Sequence, residues 1–269
     1  MFIVTDQQKP AWIKNTEMVT FVDHRDLISP HHLPIFDSAN IESYIHHIPD
    51  LSEHYFYFND DVFFGKSVNI DDWFFDGGIY LSWSNEPEVI GTEMLKDSDS
   101  LENASRLSKK WLKNKKDQID NKLLTPGIRR FNKNYTHTPR TFAHSPRPMI
   151  KSLMHDIEDD ALELFTLIRS TTFRQWDKPT IISDFVLRYA LAHNLAFIKD
   201  YSYNHIETAS TNAKKQIDQL IDQFGSLDFF CLNDTTDNAS SDNQSLADAR
   251  NAMQKILPAP SSFEEKEAI

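Results

Sequence analysis

Three short polar side chains, Asn59, Asp60 and Asp61, interrupt an aromatic and apolar run, with Tyr55-Phe56-Tyr57-Phe58 before them and Val62-Phe63-Phe64 after. Adjacent carboxylates repel each other unless a proton or a cation relieves them, and ligands of α/β sheets collect at the carboxyl ends of strands. That combination favours a divalent cation with oxygen ligands, Mg2+ or Mn2+, bound to Asp60 and Asp61 and holding a phosphate. A solvated Asn-Asp-Asp turn between hairpin strands fits the same spacing about as well. Asn233-Asp234 repeats the arrangement after a second apolar run, Leu227-Asp228-Phe229-Phe230-Cys231-Leu232. If the two strands are neighbours, Asp234 joins the metal ligands and Asn233 the substrate contacts. Taken alone, the pair reads more readily as a turn or a helix cap.

His144 lies in Phe142-Ala143-His144-Ser145-Pro146, in a loop that also carries Arg140 and Arg147. A histidine there can take a proton from a hydroxyl as a general base, because imidazole titrates near neutrality. A lone histidine is more often structural. Arg174, between Phe173 and Trp176, can fork onto phosphate oxygens or simply stack on its aromatic neighbour. His31-His32 and His46-His47 are adjacent pairs. Neighbours in a helix point about 100° apart, so these read as structural or surface residues rather than joint metal ligands.

The elements that must position these groups alternate as in an α/β domain: a mixed or mostly parallel sheet flanked by helices, with a helical excursion. Strands are expected at residues 2–5, 18–22, 55–59 and 78–83, and again over 227–232. Between the second and third, Ile41, Tyr44, Ile45 and Ile48 recur at helical spacing, with Ser38 or Asn40 as cap. A charged surface helix is expected from about 98 to 124 within an excursion of about 92–135. Asp99 and Glu102 are spaced as its capping box, Leu107, Trp111, Leu123 and Leu124 are scattered contacts, and Pro126-Gly127 is its stop. Helices follow at about 149–170, 179–195, 211–224 and 243–256, the third of these stopping at Gly225.

The bulk properties narrow the function classes. With 269 residues, 40% of them hydrophobic, the chain can bury a sizeable core, and we expect a single catalytic domain over 1–269. A formal charge of −12 disfavours nucleic acid and anionic membrane surfaces as partners, so an anionic substrate needs a local arginine or a metal ion. Cys231 is the one cysteine, which excludes an intrachain disulfide and fits a cytoplasmic setting. No run approaches the roughly 20 apolar residues of a membrane span. The first residues, Phe2-Ile3-Val4-Thr5-Asp6, run straight into a strand, as if the chain began inside a domain.

Taken in order, the segments Phe36-Asp37-Ser38 through Ile41-Glu42, His46, Ile48-Pro49, Leu51-Ser52-Glu53, Tyr57, Asn59-Asp60-Asp61 and Phe63-Phe64-Gly65 form a long and specific pattern. His144-Ser145-Pro146 with Thr172-Phe173-Arg174, Cys231-Leu232-Asn233-Asp234 and Pro260-Ser261-Ser262-Phe263-Glu264 continue it. The whole resembles the Stealth family, which includes bacterial capsular polysaccharide phosphotransferases and the catalytic subunit of the lysosomal-enzyme GlcNAc-1-phosphotransferase. The family's first conserved region and the Arg-rich start of its second would precede Met1, so the resemblance implies a catalytic domain shortened at its N-terminus, with donor binding affected.

The resemblance further implies transfer of a sugar 1-phosphate from a nucleotide diphosphate sugar donor to a hydroxyl of a saccharide acceptor. Asp60, Asp61, His144 and Arg174 would be catalytic, with Asp61 as a rival base to His144. Glu42, Asn59, Arg147 and Asn233 would contact substrate, and Asp60, Asp61 and Asp234 would hold Mg2+ or Mn2+. The implied setting is the cytoplasm, peripheral at the inner face of the membrane beside membrane-bound capsule machinery. A metal-dependent glycosyltransferase, and an inactive fragment serving as a binding module, are the competing expectations.

Overall fold

The computed structural model describes residues 1–14, 16–120, 131–234 and 243–265. In chain order the elements are β1 (Phe2–Thr5), β2 (Thr20–Asp23), α1 (His24–Leu27), α2 (Ser38–Glu42), β3 (His54–Tyr57), β4 (Val62–Phe64), β5 (Phe74–Phe75), β6 (Gly78–Leu81) and α3 (Ser100–Asp120). They continue with β7 (Arg147–Ile150), α4 (Lys151–Asp160), α5 (Leu162–Arg169), α6 (Val186–Ala192), β8 (Ala196–Ile198), β9 (Tyr203–Glu207), α7 (Ala213–Gln223), β10 (Phe229–Asn233) and α8 (Gln244–Ile256). The fold is α/β, and among the described residues its strands are distributed over four short sheets: β1-β2, β4-β10-β9, β3-β7 and β5-β6-β8. Parallel and antiparallel pairs occur together, β10 lying parallel to β9 and antiparallel to β4.

Alternation along β10 decides what reaches the site. Phe229 joins the main core with the buried faces of α4, α5 and α6, whereas Phe230 and Leu232 turn to the opposite side and pack with Ile217 and Leu220 of α7 and Ala252 of α8. Cys231 and Asn233 therefore share the face of Phe229. The neighbouring β9 follows the same rule, with Tyr203 against the main core and Ile206 in the α7–α8 cluster. Gly65 closes β4 tightly against this layer: a Cβ added there would stand 2.6 Å from the Leu227 carbonyl oxygen, so any side chain would push the layers apart.

Several expected elements change in detail. The helix expected over 149–170 begins as strand β7 and then breaks at Ala161, whose backbone at φ −126° and ψ 39° separates α4 from α5. The segment expected to be helical from 179 opens with a π-helical turn, Ile181–Phe185, before α6. Asp37, rather than Ser38 or Asn40, caps α2. The charged helix α3 is not a solvated arm at its start, since Asn103 to Arg106 and Ser108 are buried. Ser108 donates to Asp184 at 2.6 Å, and Arg188 donates to Ser105 at 2.8 Å. The expected contacts of Leu123 and Leu124 and the stop at Pro126-Gly127 lie outside the described residues.

Candidate active site

A cleft of about 590 Å³ opens where β3, α2 and β10 meet the loops that carry His144 and Arg174. Glu42, Asn59, Asp60, Asp61, His144, Arg174 and Asn233, far apart in sequence, all line it. At its centre, His144 Nε2 lies 3.0 Å from Asp61 Oδ1, and the Cys231 thiol donates to Asp61 Oδ2 at 3.2 Å. The loop is fixed from behind by the Leu232 amide, which donates to the Asp61 carbonyl at 2.9 Å. Burial is the largest single influence on the Asp61 carboxyl and raises it, but the hydrogen bond and charge of His144, with the hydrogen bond from Cys231, together outweigh it and hold the group below the usual aspartate range. Burial, and then the neighbouring Asp61 carboxylate, push the Cys231 thiol up, so it acts as a protonated donor and not as a thiolate.

A second unit forms the wall beside it. Tyr57 donates to Glu42 Oε1 at 3.0 Å, and Asn59 Nδ2 donates to the Tyr57 hydroxyl at 3.4 Å. Glu42 is 5% exposed, and its Oε2 has no hydrogen-bond partner among the described residues. Burial raises the Glu42 carboxyl above the ordinary glutamate value, and Tyr57, Arg174 and Arg147 pull it only partly back. Such a group contributes stability that is fully present below its unfolded pKa and is lost as pH rises through its folded pKa. Glu42→Gln, which cannot ionise, is therefore expected to melt above the parent protein at neutral pH, by a margin that widens as pH rises from the ordinary glutamate range. Thermal unfolding across a pH series checks this; a margin independent of pH contradicts it.

Arg174 is set by a chain of buried contacts. Asp37 accepts from the Ala39 amide and from the Thr171 hydroxyl, the latter at 2.7 Å, and Asn40 donates to the Thr171 carbonyl at 2.7 Å. These tie α2 to the segment after α5 and bring Arg174 Nη2 to 2.7 Å from Ser38 Oγ. The exposed rings of Phe36 and Phe173 stack at 5.2 Å on the same junction.

Two expected site residues stand elsewhere. Arg147 does not line the cleft: it pairs with Tyr57 across β3 and β7, is 3% exposed, and donates to Ser145 Oγ at 3.2 Å. Burial pushes its pKa down to about 10, and it acts on the site as a charge behind Glu42. Asp234 is also absent from the cleft wall, because alternation turns Asn233 inward and Asp234 outward, where its carboxylate accepts from Thr208 at 3.1 Å. Conversely, His205 and Glu207 of β9 and Lys178 line the cleft without having been expected there. The alternation of Tyr203, His205 and Glu207 was the available signal. Among the described residues of the wall, Asp60, Asp61, Glu86 and Glu207 face only Arg174 and Lys178 as strongly cationic neighbours. An anionic ligand therefore needs further positive charge here, and among the described residues one ligand atom each from Asp61, His144 and Cys231 lies within 4.8 Å of the others, a group able to hold a metal ion.

Known proteins resemble this chain over most of its length. The family model described as Stealth protein CR2, conserved region 2, matches residues 1–81. The receptor polysaccharide phosphotransferase WefC of Streptococcus gordonii is 30% identical over 277 residues, covering 98% of this chain and 80% of the relative. The chain belongs to the Stealth family. Among other Stealth relatives, the exopolysaccharide phosphotransferase CpsY of Mycobacterium leprae is 30% identical over 87% of the chain, which spans 40% of that protein's length. The capsular polysaccharide phosphotransferase cps1A of Actinobacillus pleuropneumoniae is 46% identical over 91 residues, 33% of this chain and 25% of the relative. Among the described residues, no helix is long and apolar enough to cross a membrane.

Proposed function

We propose that this chain transfers a sugar 1-phosphate from a nucleotide diphosphate sugar to a hydroxyl of an acceptor saccharide, building a phosphodiester-linked capsular or exopolysaccharide. The observation that carries this reading is the Asp61–His144 pair at 3.0 Å, set in a carboxylate-rich cleft that also presents Arg174. Relatives named as polysaccharide phosphotransferases support it.

With Nε2–H of His144 donated to Asp61, the lone pair of Nδ1 is left to accept the proton of the acceptor hydroxyl. Asp61, held below the ordinary carboxylate range, is the weaker base of the two and serves to orient His144. The acceptor oxygen then bonds to the phosphorus that carries the sugar, the pyrophosphate P–O bond breaks, and a nucleoside monophosphate leaves. Arg174 and Lys178 receive phosphoryl oxygens, and Glu42 receives a donor hydroxyl on its unpaired Oε2. Asp60 and Asp61 would hold Mg2+ or Mn2+, because a carboxylate has lone pairs beyond those given to His144 and Cys231. Such an ion supplies charge neutralisation for the pyrophosphate. The setting proposed for this reaction is the cytoplasm, peripheral at the inner face of the membrane.

The nucleotide product tests the reading. Incubation with Mg2+, candidate nucleotide sugars and an acceptor oligosaccharide is expected to release nucleoside monophosphate in step with acceptor consumption, measured by ion-exchange chromatography. Release of nucleoside diphosphate would mean that the bond between sugar and phosphate breaks instead, as in a glycosyltransferase.

A further inference from the structure

Outside the cleft, four metal-ligating side chains meet where the turn after α2 crosses α4. His46 and His47 stand on the 3-10 turn Ile45–His47, and His155 and Glu158 on α4. His46 Nε2 and His47 Nε2 lie 2.6 and 2.7 Å from one and the same oxygen, Glu158 Oε2. The His155 ring stands edge-on to both histidines, with centroids 4.8 and 5.2 Å away, and one ligand atom from each of the four residues falls within 4.8 Å of the rest. The sequence expectation that adjacent histidines diverge fails here, because the pair sits in a tight 3-10 turn and the partner on α4 draws both rings together, to a centroid distance of 4.2 Å.

We propose that His46, His47, His155 and Glu158 form a structural binding site for a borderline divalent cation, Zn2+ by preference, which staples the turn after α2 to α4. Three imidazoles and one carboxylate complete a four-coordinate shell with no open position, as in structural zinc sites and unlike catalytic ones. Ligand atoms around tetrahedral Zn2+ stand about 3.3 Å apart, between the shortest and longest separations in this cluster, so small side-chain movements close the shell. Arg169 fixes the carboxylate from outside, donating to Glu158 Oε1 and leaving Oε2 toward the histidines. Its charge opposes a second cation, so binding must draw on the three imidazole nitrogens, which excludes Mg2+ and Ca2+. The side chain of His47 is 42% exposed and gives an ion a way in. The same turn follows directly on Glu42, so the staple would hold one wall of the cleft.

The test strips the full chain with a chelator, then titrates it with Co2+ and separately with Zn2+, reading the visible ligand-field band and the metal retained after gel filtration. The expected result is about one tightly held equivalent, a tetrahedral cobalt band and a raised thermal midpoint. Affinity should fall by about 100-fold or more in His155→Ala and in the more exposed His47→Ala, with unchanged far-UV circular dichroism, and should persist in Asp61→Asn, which alters only the cleft. A folded parent chain that retains no zinc and shows no band overturns the proposal. So does binding that survives both histidine substitutions, or binding lost in Asp61→Asn instead.

Discussion

Replacing His144 with alanine is expected to lower kcat for transfer by about 10²- to 10⁴-fold while changing the donor KM by a few-fold at most. The imidazole is partly exposed at the cleft and anchored through a 3.0 Å contact to Asp61, so its loss removes the base without opening the core. The catalytic effect should therefore far exceed the structural one. Steady-state kinetics beside thermal unfolding separates the two: a proportionate loss of activity and of melting temperature would make His144 a structural residue, and parent-like turnover would remove it from the mechanism.

Asp61→Asn should be at least as damaging, on the order of 10³- to 10⁴-fold in kcat, although the side chain changes by one atom. Asp61 accepts from His144 on one oxygen and from Cys231 on the other. An asparagine offers one acceptor and one donor, so it either leaves the Cys231 thiol facing an N–H or reverses the histidine tautomer that puts a basic Nδ1 toward the acceptor. It also removes negative charge from the proposed Mg2+ or Mn2+ ligands, so the variant's residual activity should need more metal for half-saturation. Titration of the metal at fixed donor concentration measures this shift. An unchanged metal requirement, together with parent-like turnover, would show that Asp61 serves neither role.

How far the sequence foretold these positions depends on whether a local signal existed. The strands that end at Tyr57 and Asn233 were legible because each is an apolar run that stops at short polar residues, and the convergence of Asp61, His144, Arg174 and Asn233 on one cleft follows from motifs in those places. Arg147 was misplaced because Arg147-Pro148-Met149-Ile150 looks like a loop leading into a helix, whereas it pairs with β3 and buries the guanidinium. Asp234 shows that adjacency to a site residue is not membership when the chain is extended. The break between α4 and α5 at Ala161 carries neither proline nor glycine, and the π-helical turn before α6 is set by packing, so neither left a local trace. The meeting of His46 and His47 with His155 and Glu158 joins residues more than a hundred positions apart, and spacing within one segment cannot reveal it.

The proposed transfer of a sugar phosphate in this cleft can be followed by phosphorus NMR of the reaction with Mg2+, a nucleotide sugar and an acceptor oligosaccharide. The expected result is a new phosphodiester resonance that grows with nucleoside monophosphate and is absent with the Asp61→Asn protein. A saccharide product without phosphorus, formed with release of nucleoside diphosphate, would contradict it.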